Sequence, residues 1–198
     1  GYISTVRYLS TLPRRRGAAG PLIVDVGSAN SVIVAGLHGE TGYTIRTDLG
    51  VGHHFVNALE AVTPQRVIEW LPFDTTPDAL WDYAHNKALR PGTIPTTPEE
   101  LQIEQGLARA IVRALVADSR ARWKVDADGA LPSFDPIIGA GAILTEAQTP
   151  GASAMLLLDA LQPEGVTELQ IDRSNLLSAA GVIAYLKPLI TVQILESG

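Results

Sequence analysis

Apolar positions change their spacing along this chain, and the changes divide it into elements. Residues 3–12 predict a short helix, ended by Pro13 and the arginine- and glycine-rich stretch to Gly20. Apolar blocks at 22–26, 31–37 and 43–47 have the length of strands. The glycine-bearing run His38-Gly39-Glu40-Thr41-Gly42 between the last two is a hairpin signal. Connections this short force an antiparallel meander, because a parallel crossover needs a dozen residues or more.

From Val51 the period turns helical. Val51, Phe55, Leu59 and Val62 recur on one face, 64–71 predicts a second short helix, and Asp74-Thr75-Thr76-Pro77 caps a third that runs to about residue 89. Residues 90–95 are a break. Thr97, Pro98 and Glu100 then make a capping box at the head of the longest helix, whose stripe Leu101, Ile103, Leu107, Ala108, Ile111, Val112 and Leu115 runs to about residue 119. Residues 124–134 predict an exposed loop. Within 135–144 a short buried strand empties into the turn Gly139-Ala140-Gly141, followed by a helix at about 150–161, a strand at 167–171, a helix at 174–186 and a last strand at 189–195. The order is α/β, with a three-stranded antiparallel meander followed by parallel crossovers in one mixed sheet flanked by helices: the plan of a ribonuclease H-like lobe.

Composition narrows the picture. A chain of 198 residues with 46% apolar and 18% charged residues predicts one globular domain. No apolar run approaches the roughly 20 residues of a membrane span, and no membrane partner is expected. The net charge of −6 argues against a nucleic-acid surface. Arg14-Arg15-Arg16 is short and isolated, as a solvated linker would be. The absence of cysteine excludes disulfides and thiolate metal sites and fits a cytoplasmic setting. A start at Gly1 rather than Met points to a piece of a longer protein.

The chemistry concentrates at two turns. Asp25 stands in an apolar strand, where an unpartnered carboxylate is costly. The small residues Gly27-Ser28-Ala29-Asn30 that follow suit a phosphate and Mg²⁺ loop, or an ordinary hairpin whose Asp caps the turn. Gly139 and Gly141 let backbone approach a ligand, or serve a tight turn with none. If both turns belong to one sheet they share a crevice of the kind where open α/β sheets bind ligands. Other candidates are poorer. His53-His54 are adjacent and cannot share a helix face as metal ligands. Ser28 and Ser31 have no evident His/acid pair. Glu99, Glu100 and Glu104 are acids near a helix start, favoured by its dipole, and Trp70 and Trp81 suit core or lobe contacts.

Asp25-Val26-Gly27-Ser28-Ala29-Asn30-Ser31 resembles a phosphate motif of the actin, hsp70 and sugar-kinase superfamily, and Ile137-Ile138-Gly139-Ala140-Gly141-Ala142 resembles its adenosine motif. With Arg46-Thr47-Asp48-Leu49-Gly50, the stretch from Pro91 to Glu100, and Ile171-Asp172 with Ala179–Ala184, the chain resembles the GlmL/MutL family associated with adenosylcobalamin-dependent glutamate mutase. The resemblance implies the C-terminal half of a two-lobed protein. Residues 1–20 would be a connector from a missing N-terminal lobe, and 21–198 one actin-like ATPase lobe with a helical insertion at about 51–119. It implies ATP and Mg²⁺ between the lobes. Asp25 would then be the metal-side acid acting through water, Gly27, Ser28 and Asn30 the phosphate turn, and Gly139, Ala140 and Gly141 the adenosine wall. The implied role is an accessory or chaperone-like factor for a cobalamin-dependent mutase.

The chain also departs from that pattern. Ser28 stands in place of a glycine, Asn30 of a threonine, Val32 of an aspartate and Ala142 of a glycine, and Asp118-Ser119-Arg120-Ala121-Arg122-Trp123 replaces the usual Arg-His-x-Gly. These changes favour weakened or lost ATP binding, and no catalytic residue is assigned. Two rival readings are a degenerate actin-like scaffold that holds a protein without nucleotide and half of a small-molecule kinase.

Overall fold

The computed structural model describes residues 1–126 and 129–186. Five described strands, β1 (Gly20–Val26), β2 (Ser31–Leu37), β3 (Glu40–Arg46), β4 (Phe134–Ala140) and β5 (Leu169–Ile171), form one sheet in the order β3-β2-β1-β4-β5. The first three pair antiparallel, β4 runs parallel to β1, and β5 runs parallel to β4. This is the ribonuclease H-like arrangement of meander and crossovers. A register shift between Gly20 and Leu22 lies opposite Pro136, which has no N–H to offer its neighbour. The strand expected at 189–195 lies outside the described residues.

The helices are α1 (Tyr2–Leu9), α2 (Phe55–Val62), α3 (Pro64–Ile68), α4 (Pro77–Leu89), α5 (Pro98–Trp123), α6 (Ala142–Thr145), α7 (Pro150–Leu161) and α8 (Leu176–Leu186). Strand alternation sorts β1 between two faces. Leu22, Val24 and Val26 enter the larger core with Phe55, Leu59, Leu107, Ile111, Leu115 and Leu157, whereas Ile23 joins Val6, Val34, Ile138 and Leu177 under α1 and α8. Asp25 has the parity of Ile23, so its side chain leaves the sheet on the α1 and α8 side.

Two boundaries differ from expectation for local reasons. α2 starts at Phe55 rather than Val51, because the amides of Val51, Gly52 and His54 are committed to the carbonyls of Gly27 and Ser28. α5 runs past residue 119 to Trp123, whose ring packs edge-on against Phe134 at 5.4 Å. Beyond it Lys124 turns left-handed at φ 55°, and Arg120 Nη1 donates to the carbonyls of Asp126 and Gly129. The capping box stands as read: the Thr97 hydroxyl accepts from the Glu100 amide at 3.2 Å, and the Glu100 carboxylate accepts from the Thr97 amide at 3.3 Å.

Candidate functional site

β1 and β4 are parallel neighbours, so the turns that follow them leave the sheet at the same end, and the register pairs Asp25 with Ala140. Gly141 has φ 91° and ψ 148°, a region almost reserved for glycine. A Cβ there would fall 2.2 Å from the Val26 carbonyl oxygen and 2.7 Å from Asp25 Oδ1. The two turns therefore touch, with the Asp25 carboxylate at their junction. Gly139 serves a different purpose. A Cβ on it would meet the ends of Leu157, Ile171 and Leu144 at 3.0–3.1 Å, so its smallness lets helices and strand close on β4. Ala140 is fully buried. Of the three residues expected to form an adenosine wall, Gly141 is the one that is not buried.

The turn after β1 is closed by the Gly27 amide donating to the Asn30 carbonyl at 2.9 Å. The amides of Ser28, Ala29 and Asn30 donate to no described residue, leaving three consecutive N–H groups open, the arrangement that attracts an anion. The turn is braced from behind. The Val51 amide donates to the Gly27 carbonyl at 3.0 Å, and those of Gly52 and His54 to the Ser28 carbonyl at 3.0 and 3.3 Å. A Cβ at Gly50 or Gly52 would lie 2.3 Å from the Ser28 carbonyl oxygen or 2.1 Å from Ser28 Oγ. Only glycines permit that approach.

Both histidines serve the turn. Ser28 Oγ accepts from the His53 amide at 3.2 Å and lies 2.9 Å from His53 Nδ1. Which of the two donates depends on the imidazole tautomer: a neutral ring with Nδ1 unprotonated accepts from the hydroxyl, and one with Nδ1 protonated donates to it. His54 Nδ1 donates to the Ala29 carbonyl at 2.5 Å. Ser28 thus has the histidine partner that its sequence neighbourhood did not supply. Ser31 does not: it is buried and donates to the Leu49 carbonyl at 3.0 Å. Among the described residues no group of three or more His, Asp and Glu is arranged to hold a metal ion.

Asp25 is under electrostatic load. Burial pushes its carboxyl above the usual range, a hydrogen bond with the Tyr2 hydroxyl opposes this in part, and the negative charge of Asp172 adds to the rise. The Tyr2 phenol is pushed up in turn, by burial and by Asp25. Asp172 caps α8, accepting from the amides of Leu176 at 2.9 Å and Leu177 at 3.0 Å. A cation near Asp25 would relieve the load. Mg²⁺ held there would take most of its ligands from water and phosphate oxygens, since Val32, opposite Asp25 on β2, supplies no carboxylate.

On the other side of β1 the crevice opens into a largely apolar cavity of about 550 Å³. Val26 and Ser28 border it at the end of β1 and in the first turn, Gly52 from the segment before α2, Ile143 from α6, and Pro91 to Pro95 from the loop between α4 and α5. At its wall lies a buried ion pair: Lys87 Nζ is 2.5 Å from Glu104 Oε1, with both side chains more than nine-tenths buried. The same oxygen accepts from the Tyr83 hydroxyl at 2.8 Å, and Lys87 also donates to the Thr93 carbonyl. Glu104 is therefore not the solvated helix-start acid that its position suggests. Its second oxygen takes no hydrogen bond from the described residues.

A mixed-sheet α/β lobe with two glycine turns meeting over a partly buried carboxylate is the class of protein in view. The chain matches the family described as MutL protein over residues 3–198, and it belongs to that family. No curated protein matches it. Among solved structures it is similar to component A of (R)-2-hydroxyglutaryl-CoA dehydratase from Acidaminococcus fermentans, at 11% identity and a TM-score of 0.40. The similarity covers 90% of this chain and 63% of that one, so the chain spans less than two thirds of that structure's length.

Proposed function

We propose that the crevice is one half of a nucleotide site in a two-lobed MutL-family protein. In this reading the nucleoside occupies the apolar cavity, its phosphates meet the open amides of Ser28, Ala29 and Asn30, and Asp25 faces hydrated Mg²⁺. The observation that carries it is the contact of the Gly141 turn with Asp25 and Val26 beside that cavity. A cavity of this size is within the range of small-ligand pockets. Binding is weak, because the Cβ of Ser28 holds phosphate off the backbone and Val32 and Asn30 contribute neither the carboxylate nor the hydroxyl of the family pattern. The whole protein would serve a cobalamin-dependent mutase as an accessory factor, through movement of the lobes on nucleotide exchange. Membership of the family supports that role.

Calorimetry of the full-length protein with MgATP tests the reading. One saturable binding event that Gly141→Val abolishes is the expected result. Absence of heat at millimolar nucleotide contradicts it and favours a protein-binding scaffold, to which Ser28, Asn30 and Val32 also point. The mutase role is tested separately, by whether the full-length protein with MgATP restores an inactivated cobalamin-dependent mutase.

A further inference from the structure

We propose that Ser28 is a phosphoryl acceptor and that His53 is the base that prepares it, so that a nucleoside triphosphate in the crevice modifies its own phosphate turn. The inference rests on the nucleotide reading above and adds a covalent step to it.

Three observations carry the proposal. Ser28 puts a hydroxyl, where a glycine would have none, on the same turn as the three open amides. That hydroxyl is oriented. It receives the His53 amide at 3.2 Å and lies 2.9 Å from His53 Nδ1, within reach for that nitrogen to take its proton in the neutral tautomer that leaves Nδ1 free. A capping contact needs only the amide, whereas the ring nitrogen adds a general base within hydrogen-bond distance of the hydroxyl. Ser28 and Gly52 also border the cavity where the nucleoside is placed, and both Ser28 and His53 are exposed to an incoming ligand. The brace of glycines behind the turn fixes this geometry.

The step balances with the nucleotide as donor. Ser28 Oγ attacks the terminal phosphorus and forms an ester bond as the bond to the bridging oxygen breaks. The diphosphate leaves with that electron pair, the Ser28 proton passes to His53 Nδ1, and solvent receives it from the imidazolium. The phosphoserine would sit beside the first turn of α2, where helix amides favour negative charge, and would repel a second nucleotide.

The test incubates the full-length protein with MgATP and follows phosphate on the intact protein and on its peptides by mass spectrometry. Calorimetry on the same samples reads MgATP binding independently. One phosphoryl group on Ser28, absent from Ser28→Ala and accumulating about 10²-fold more slowly in His53→Asn, is the expected result. Asn keeps an acceptor near the hydroxyl without the basicity, so a purely structural histidine would leave the rate unchanged. MgATP binding without label on Ser28, or label on another residue, overturns this proposal and leaves the nucleotide reading standing. No binding at all removes both.

Discussion

Replacing Gly141 by alanine strikes at the contact on which the site depends. Two costs add. The backbone at φ 91° and ψ 148° is disfavoured for any residue with a Cβ, worth about 1–3 kcal/mol. The added methyl would also overlap the Val26 carbonyl oxygen at 2.2 Å and Asp25 Oδ1 at 2.7 Å. Backbone atoms cannot swing aside as a side-chain end can, so relief requires one turn to move from the other at roughly 1–3 kcal/mol more. The sum is about 2–6 kcal/mol, which at this chain length lowers the melting temperature by roughly 5–20 °C. Gly139→Ala is the control. Its added methyl meets only Leu157, Ile171 and Leu144 side-chain ends at 3.0–3.1 Å, so it costs about 1 kcal/mol. Calorimetric or circular-dichroism melts of the three proteins decide the matter. Equal melting temperatures for the two variants would show that the Gly141 turn stands clear of Asp25, and the reasoning would fail.

Three further outcomes follow from the same contacts. Lys87→Met leaves Glu104 charged and buried without its cation and destabilises the fold by about 3–5 kcal/mol, while the double variant with Glu104→Leu recovers most of that in denaturant titrations. Asp25→Asn raises stability at neutral pH. The folded carboxyl binds its proton more tightly than the unfolded one, so its favourable contribution is full below the unfolded value and is lost as pH rises through the folded value. The advantage of the asparagine variant in urea midpoints should therefore shrink towards about pH 4 and is refuted if the variant is the weaker protein at neutral pH. Thr97→Ala opens the capping box of α5 and costs about 1 kcal/mol, seen as a lower melting temperature. An unchanged melt would mean that Pro98 and the helix dipole already hold that end.

Local pattern was enough to read the meander, the Thr97 cap and the helical run from Pro77 to Leu89, because each depends on spacing within a few residues. The strand bearing Asp25 was legible for the same reason: a lone acid among apolar neighbours is conspicuous. The partners of that acid were not. Tyr2 reaches Asp25 from a helix whose own sequence shows only an apolar stripe, and Asp172 arrives through the α8 cap. His53 meets Ser28 across 25 positions, and the only local hint was the glycine pair Gly50 and Gly52 before α2. Lys87 and Glu104 illustrate the limit most sharply. They stand on separate helices, and only the folded arrangement of α4 and α5 makes them a buried pair at a cavity wall.

The central claim is that the two turns and the cavity beside them form one nucleotide site, and photolabelling with an azido-adenine analogue of ATP addresses it most directly. Peptide mapping should place the label on residues 91–95 or 142–147, two of the segments that border the cavity, and excess ATP should suppress it. Label that persists under excess ATP, or that falls on the exposed side of β3 around Tyr43 and Ile45, would contradict the account.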